Sequence, residues 1–153
     1  MEDNRYLKLL IVPALIFVID RISKYFVLKV SDVVCELIPN VLIFRVVQNQ
    51  GMAMSLLSDN PSITFLIATG FVILLTIILM VKGETMDVLP YLGLWSMLSG
   101  GFSNLTDRLV YNDVIDFLQL AFLDSFIFNI ADIFICVGGL LVIVGILIPH
   151  IEY

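Results

Sequence analysis

Residues 61–81 read PSITFLIATGFVILLTIILMV, and residues 88–106 read VLPYLGLWSMLSGGFSNLT. Neither stretch contains a charged residue. An α-helix rises about 1.5 Å per residue, so each stretch is long enough to cross a hydrocarbon core of about 30 Å. The two stretches therefore predict a pair of membrane-spanning helices joined by a short turn at residues 82–87.

The composition extends this prediction to the whole chain. Of its 153 residues, 60% are hydrophobic and 14% are charged, whereas soluble domains have about 45–50% and about 25%. A soluble globule of this size lacks the interior volume to hide so many apolar side chains. This excludes a soluble enzyme and a disordered protein and indicates an integral membrane protein in contact with the lipid bilayer. No run of Lys or Arg is present that would follow a phosphate backbone, so nucleic acid is not an expected partner.

Two further apolar segments lie on either side of this pair. We predict one integral membrane domain over residues 1–153, with spans at about 6–26, 61–81, 88–106 and 128–149. Four spans put both termini on one side of the membrane and both long connecting segments on the other. Basic residues flank both sides, so the positive-inside rule does not decide the orientation.

The two long connecting segments cover about residues 27–60 and 107–127. Within them, the β-branched, apolar run at residues 40–47 predicts a strand, and residues 113–118 predict a second short extended piece. The predicted fold class is an all-α membrane protein of four transmembrane helices with a small β-rich element on one face.

Charged residues inside the spans need an explanation, because an ionisable group at membrane depth costs about 2.5–3.5 kcal/mol. Asp20 and Lys24 are four residues apart on one face of the first span and can pair. Asn104 and Arg108 have the same spacing at the end of the third span, with Asp107 beside them. Taken alone, each group is most simply a structural feature, an ion pair at the membrane interface or a polar cluster.

Two carboxylates in the sequence could carry out acid–base catalysis. Asp132 lies three residues after Asn129, which is placed to cap the fourth helix, and Asp116 stands in an apolar stretch where a lone solvated acid is the simplest interpretation. If the chain brings Asp116 and Asp132 together, they share a proton because both cannot ionise cheaply. Such a pair can activate water and protonate a carbonyl, as aspartic peptidases do, without a metal.

Other catalytic groups find less support. Ser23 adjoins Lys24, but no serine has a histidine or lysine partner in an evident arrangement. His150 is the single histidine, so no Cys/His cluster indicates a metal, and neither a metal nor a cofactor is expected. The two cysteines, Cys35 and Cys136, do not indicate a disulfide framework.

Five motifs follow one another along the chain. They are Asp20-Arg-Ile-Ser-Lys24, Asn49-Gln-Gly-Met-Ala53, Gly100-Gly101 with Asn104 and Asp107-Arg108, Val114-Ile-Asp-Phe117, and Phe128-Asn-Ile-Ala-Asp132. These motifs resemble those of the lipoprotein signal peptidases (signal peptidase II), which are bacterial membrane aspartic peptidases. The resemblance covers nearly the whole chain.

The resemblance implies roles for ten of these residues. It implies that Asp116 and Asp132 are the catalytic pair. It further implies that substrate binding or site shape depends on Asn49, Gly51, Asn104, Arg108 and Asn129, with Asp20, Lys24 and Asp107 in support.

The resemblance also implies a substrate and a location. The substrate is a prolipoprotein whose cysteine carries a diacylglyceryl group, and the enzyme cuts just before that cysteine to release the signal peptide. The protein is expected in the bacterial cytoplasmic (inner) membrane as a multi-pass protein. Its termini are expected to be cytoplasmic, and its site and both long segments extracytoplasmic.

The chain departs from the family pattern at five positions. Ser103 adds a side chain where the family pattern has a third glycine, close to Gly100 and Gly101, which allow another backbone to approach. Met52 and Met54 replace Ala and Phe in the second motif and could reshape the substrate groove. The remaining departures are Arg21 in place of a common Gln and Ile133 in place of a frequent Ser.

Two other functions remain open at this stage. A small proton-coupled transporter would use Asp132 or Asp20 to carry a proton inside the membrane. A non-catalytic membrane adaptor would tolerate the loss of both Asp116 and Asp132.

Overall fold

A computed structural model describes residues 9–51, 57, 59–123 and 126–148. Met52, Met54 and His150 lie outside the described residues, as do the first residues of the predicted first span. The described residues form four α-helices and four strands. In chain order these are α1 (Ile11–Val27), β1 (Val34–Ile38), β2 (Leu42–Asn49), α2 (Pro61–Lys82), α3 (Val88–Tyr111), β3 (Val114–Leu120), β4 (Ile127–Phe128) and α4 (Ile130–Leu147).

The predicted apolar stretches form helices. Among the described residues, Pro61–Thr85 and Ile130–Leu147 are long and apolar enough to cross a membrane. Pro61 stands at the first position of α2, where its missing N–H has no helical partner to lose. The observed fold is mostly helical with a small sheet, as predicted.

Helix α3 lies at the centre of the bundle and packs against α1, α2 and α4, most extensively against α4. Small residues allow this close contact. A Cβ added at Gly93 would lie 2.6 Å from the carbonyl oxygen of Gly138, and one at Gly100 would lie 2.5 Å from that of Ala131. Two backbones therefore meet where a larger side chain would keep them apart.

The strands form one antiparallel sheet in the order β1-β2-β3-β4. The predicted strand at residues 40–47 is β2, although Asn40 itself lies in the turn before it with a φ of 57°. The predicted extended piece at residues 113–118 is β3. The sequence analysis did not predict β1 or β4.

The third helix is longer than the predicted span. It continues to Tyr111 and ends at Asn112, which adopts the left-handed conformation with a φ of 62°. Asp107 and Arg108 therefore lie in the last turns of α3, and both charged side chains have partners inside the protein.

Candidate active site

The predicted site residues meet where the sheet joins the helical bundle. Helix α4 begins here with a capping box. The Asn129 side chain accepts a hydrogen bond from the backbone N–H of Asp132 at 3.0 Å, and the Asp132 carboxylate accepts one from the backbone N–H of Asn129 at 3.0 Å. This reciprocal arrangement satisfies two backbone donors of the first turn and fixes both side chains. The predicted helix cap at Asn129 is confirmed.

The same asparagine binds the second carboxylate. Asn129 Nδ2 donates to Asp116 Oδ1 at 2.7 Å, and Asn49 Nδ2 donates to Asp116 Oδ2 at 2.9 Å. Strand register explains the second contact. Val47 is opposite Asp116 and Asn49 is opposite Val114, so Asn49 and Asp116 are diagonal neighbours on one face of the sheet. Asn129 thus contacts both candidate catalytic acids.

Asp116 is buried, with 2% of its surface exposed. Its neighbours Ile115 and Phe117 pack on the opposite face of β3, against Val27 at the end of α1. The strand is therefore covered on both faces. The interpretation of Asp116 as a lone solvated acid was wrong, because an apolar strand with two buried faces offers no exposed position to its acid.

Burial and, to a smaller extent, the neighbouring Asp132 carboxylate raise the pKa of the Asp116 carboxyl from its ordinary 3.8 to about 7. Hydrogen bonds from Asn49 and Asn129 act against this rise. A carboxyl with such a pKa holds its proton at mildly acidic pH and is a suitable proton donor near neutral pH.

A second amide holds the other acid. Asn104 Nδ2 donates to Asp132 Oδ1 at 2.7 Å, and Asn104 Oδ1 accepts hydrogen bonds from Asn129 Nδ2 at 3.0 Å and from Lys24 Nζ at 2.9 Å. Both Asp132 oxygens therefore accept hydrogen bonds, and Asp132 itself is half-buried, more open than Asp116. The two acids share neighbours but differ in their access to solvent.

Lys24 belongs to a buried ionic cluster next to the two candidate catalytic acids. Its Nζ atom lies 2.9 Å from Asp20 Oδ2 and 2.7 Å from Asp107 Oδ2. The predicted pairing of Asp20 with Lys24 is confirmed, and both side chains are buried in the protein. Asp20 and Asp107 are both 0% exposed. Asp20 Oδ1 also accepts a hydrogen bond from the backbone N–H of Ala131 at 2.9 Å, which ties the cluster to the start of α4.

Arg108 is connected to Asp116 through Gly51 and Asn49. Its Nη2 atom donates to the carbonyl oxygen of Gly51 at 2.7 Å, and the backbone N–H of Gly51 donates to Asn49 Oδ1 at 2.9 Å. Arg108, Gly51 and Asn49 thus form a continuous series of contacts that ends at Asp116. Although Asn104 and Arg108 are one helical turn apart, they contact different parts of the site.

Two residues of the cluster were missed as site residues by the sequence analysis. Arg21 and Ser103, noted only as departures from the family pattern, contact each other and both contact Asp20. Their spacing of 82 positions carries no local signal. Within the described residues, no three His, Cys, Asp or Glu side chains are grouped as a metal site would require.

Amide side chains hold two neighbouring carboxylates where an apolar helical bundle meets a small sheet. These features define a membrane protein with a candidate acid pair. The family model described as Signal peptidase (SPase) II matches residues 12–148. The chain is also 34% identical to the lipoprotein signal peptidase of Pelagibacter ubique (strain HTCC1062), covering 88% of this chain and 84% of that protein. It therefore belongs to the signal peptidase II family.

Further relatives agree. The lipoprotein signal peptidase of Streptococcus thermophilus (strain CNRZ 1066) is 38% identical over 72% of this chain and 71% of its own length. Two solved structures, both described as a bacterial membrane enzyme, have the same fold. One has a TM-score of 0.80 at 24% identity, covering 92% of this chain and 87% of its own. The other has a TM-score of 0.79 at 24% identity, covering 94% of each.

Proposed function

We propose that this chain is an aspartic endopeptidase that removes signal peptides from diacylglyceryl-modified prolipoproteins, with Asp116 and Asp132 as the catalytic residues. Asn129 carries this proposal, because it contacts both carboxylates and so brings them into one site. Membership of the signal peptidase II family supports the peptidase activity. The relatives named lipoprotein signal peptidase support the substrate class.

The two acids have different tasks in the proposed reaction. Asp132, ionised and half-buried, takes a proton from water as the water oxygen attacks the scissile carbonyl carbon. Asp116, protonated, gives its proton to the carbonyl oxygen, which forms a tetrahedral diol. When the C–N bond breaks, Asp132 returns its proton to the leaving amine and one diol hydroxyl returns a proton to Asp116. Both acids end in their starting states.

The amides around the acids keep this arrangement in place. Asn49 and Asn129 orient Asp116, and Asn104 orients Asp132. Arg108 binds the carbonyl oxygen of Gly51, two residues after the end of β2, and we propose that Arg108 and Gly51 shape the substrate groove. The neighbouring ionic cluster supports the site through Asp20, Lys24 and Asp107. No metal or cofactor takes part in the proposed reaction.

The proposed substrate arrives from the bilayer. We propose that the diacylglyceryl chains stay among lipids while the peptide next to the modified cysteine reaches the acids at the junction of sheet and bundle. Cleavage just before that cysteine then releases the signal peptide. The apolar surface of the helices supports this route, because a lipid anchor needs no transfer into water.

We propose four transmembrane helices in a single domain of the inner membrane. Helices α1 and α3 carry the ionic cluster inside, yet their outward surfaces are apolar. Ile11, Leu15 and Ile22 on α1 and Phe102 and Leu109 on α3 are all exposed. An apolar surface of this extent suits lipid better than water. In this arrangement the termini are cytoplasmic, and the sheet and both acids face the outside.

The geometry disfavours Asp20 as the proton carrier of a proton-coupled transporter. Such a protein needs an acid that gains and loses its proton in each cycle. Asp20 is instead held by Lys24, Arg21 and Ser103 and by the N–H of Ala131. An acid with so many donors and cations around it stays ionised.

The decisive test of the proposed function compares two peptides in detergent micelles. One carries a diacylglyceryl group on the cysteine, and the other has the same sequence with a free thiol. We expect cleavage of the first only, with mass spectrometry placing the cut just before the cysteine. Equal cleavage of both peptides, or of neither while an active relative cleaves the first, would contradict the proposal.

A further inference from the structure

The buried ionic cluster contains two cations and two carboxylates, and the proposed reaction directly uses none of them. Lys24 and Arg21 are contributed by α1, as is Asp20, while Asp107 is contributed by α3. The four formal charges cancel. Removal of one partner from a buried ionic group leaves an uncompensated charge, which is strongly unfavourable.

Arg21 spans the two carboxylates. Its Nη1 atom lies 2.7 Å from Asp107 Oδ1, and its Nη2 atom lies 3.1 Å from Asp20 Oδ2. Its Nε atom donates to Ser103 Oγ at 2.8 Å, and Ser103 Oγ in turn donates to Asp20 Oδ2 at 2.6 Å. Arg21 and Ser103, two departures from the family pattern, thus meet around the same carboxylate.

Lys24 has no donor to spare. An ammonium group has three N–H donors, and the Lys24 Nζ atom contacts Asp20, Asp107 and Asn104. The first two partners are charged, whereas Asn104 is a neutral amide and the weaker competitor for the ammonium. If Lys24 alone faced two carboxylates, its contact with Asn104 would be the first to weaken.

We propose that Arg21 is a positioning residue of the cleavage reaction. Arg21 neutralises the Asp107 carboxylate and so leaves one Lys24 donor for Asn104. Asn104 in turn holds Asp132. Ser103 orients Arg21 by accepting its Nε–H. This inference rests on the proposed function, because the effect on Asp132 is read through cleavage.

The first test compares Arg21→Met, which removes the charge and every donor, with Arg21→Lys by measuring kcat and KM for the lipidated peptide. We expect Arg21→Met to lower kcat about 10- to 100-fold, as a small displacement of a catalytic group does, while KM changes less than about 2-fold. Arg21→Lys restores the charge and is expected to recover most of kcat. Arg45→Gln is the matched control on an exposed residue of β2 and is expected to behave as the wild type.

The second test removes both members of the extra ion pair. The double variant Arg21→Met/Asp107→Asn leaves Asp20 opposite Lys24, so the cluster is neutral again. We expect its kcat and its thermal unfolding temperature to exceed those of Arg21→Met alone. A merely structural contact at Arg21 predicts the opposite, because the double variant has lost more contacts.

The outcomes separate this inference from the proposed function. An inactive wild type contradicts the proposed function, and the unfolding temperatures of the single and double variants then still test the charge argument. An active wild type with an unchanged kcat in Arg21→Met overturns the positioning role alone. A double variant no better than Arg21→Met in either measurement overturns it as well.

Discussion

Asn129 serves two purposes with one side chain. Its Oδ1 atom caps helix α4, while its Nδ2 atom donates to Asp116 and to Asn104. Aspartate at this position would cap the helix too, but it has no N–H to donate and would add a negative charge. The combination of donor and acceptor explains why an amide stands between the two acids.

Substitution of Asn129 by Ser or by Ala separates these two purposes. Serine is a good N-cap but lacks the amide donor, whereas alanine lacks both. We expect both variants to lose at least about 10-fold in cleavage rate, as loss of a preorganised hydrogen bond to a reacting group does. Alanine should also destabilise the protein by about 1 kcal/mol more than serine. Cleavage kinetics and denaturation in detergent measure these effects, and full activity of the serine variant would contradict the bridging role.

The raised pKa of Asp116 has a consequence for stability. The folded protein holds a proton on Asp116 up to about pH 7, whereas the unfolded chain releases it near pH 4. The folded state therefore binds more protons than the unfolded chain in this interval. The contribution of Asp116 to the free energy of unfolding is largest below about pH 4 and is lost as the pH rises towards 7.

Asp116→Asn removes this titration. We expect the wild type to lose thermal stability relative to Asp116→Asn as pH rises from about 4 to about 7. Asp32→Asn, which changes an exposed acid in the same way, should follow the wild type across that interval. A difference between wild type and Asp116→Asn that stays constant with pH would contradict the raised pKa.

At the residue scale, spacing alone predicted the local contacts. Residues three or four apart on a helix, such as Asn129 with Asp132 and Asp20 with Lys24, meet as expected. The resemblance to the family supplied the proposed pairing of Asp116 with Asp132. The contact of Arg21 with Ser103 could not be predicted, because it depends on how α1 packs against α3 and leaves no periodic pattern in the sequence.

At the scale of elements, the contact between α3 and α4 bears directly on the position of Asp132. Gly100 faces the carbonyl of Ala131, the residue before Asp132. A side chain at residue 100 would therefore move the first turn of α4, which carries the capping box. Gly139, further along the same helix, has no atom within 4 Å of its added Cβ.

These two glycines provide a matched pair of substitutions. Gly100→Ala should destabilise the protein by about 1–3 kcal/mol, as overpacking does, and should reduce cleavage. Gly139→Ala fills open space and should stabilise α4 by up to about 1 kcal/mol, the difference in helix propensity. Thermal unfolding and cleavage assays on both variants check this. Equal effects of the two changes would contradict the close contact at Gly100.

The helices were more predictable than the sheet. Long uncharged stretches identify α2 and the body of α3 directly, since little else requires such a sequence. Strand β4 has only two residues and carries no pattern. Strand β1 contains Cys35 and Glu36 and is exposed along its length, so it lacks the alternation that marks a half-buried strand. Both strands depend on pairing with neighbours that were themselves predicted.

At the scale of the whole molecule, the proposed orientation assigns different surroundings to the two native cysteines. Cys35 is exposed on β1, in the segment proposed to lie outside the membrane. Cys136 is exposed on α4, within the stretch proposed to contact lipid. Only the first should meet water on the outer face.

A membrane-impermeant maleimide tests this orientation in spheroplasts. We expect the wild type to be labelled at Cys35 without lysis, because water-exposed thiols react through their thiolate. Cys35→Ser should abolish labelling, and Cys136→Ser should leave it unchanged. Labelling of Cys35 that requires lysis would place the sheet, and with it both acids, on the cytoplasmic side.

The most direct test of the central claim measures cleavage of a diacylglyceryl-modified peptide by the wild type, Asp116→Asn and Asp132→Asn in the same detergent. Asp32→Asn serves as the control for the chemical change, and thermal unfolding establishes that all four proteins are folded. Catalysis by the acid pair predicts that the wild type and Asp32→Asn cleave while each of the other variants loses at least about 100-fold in rate. Substantial cleavage by a folded Asp116→Asn or Asp132→Asn variant would contradict the account.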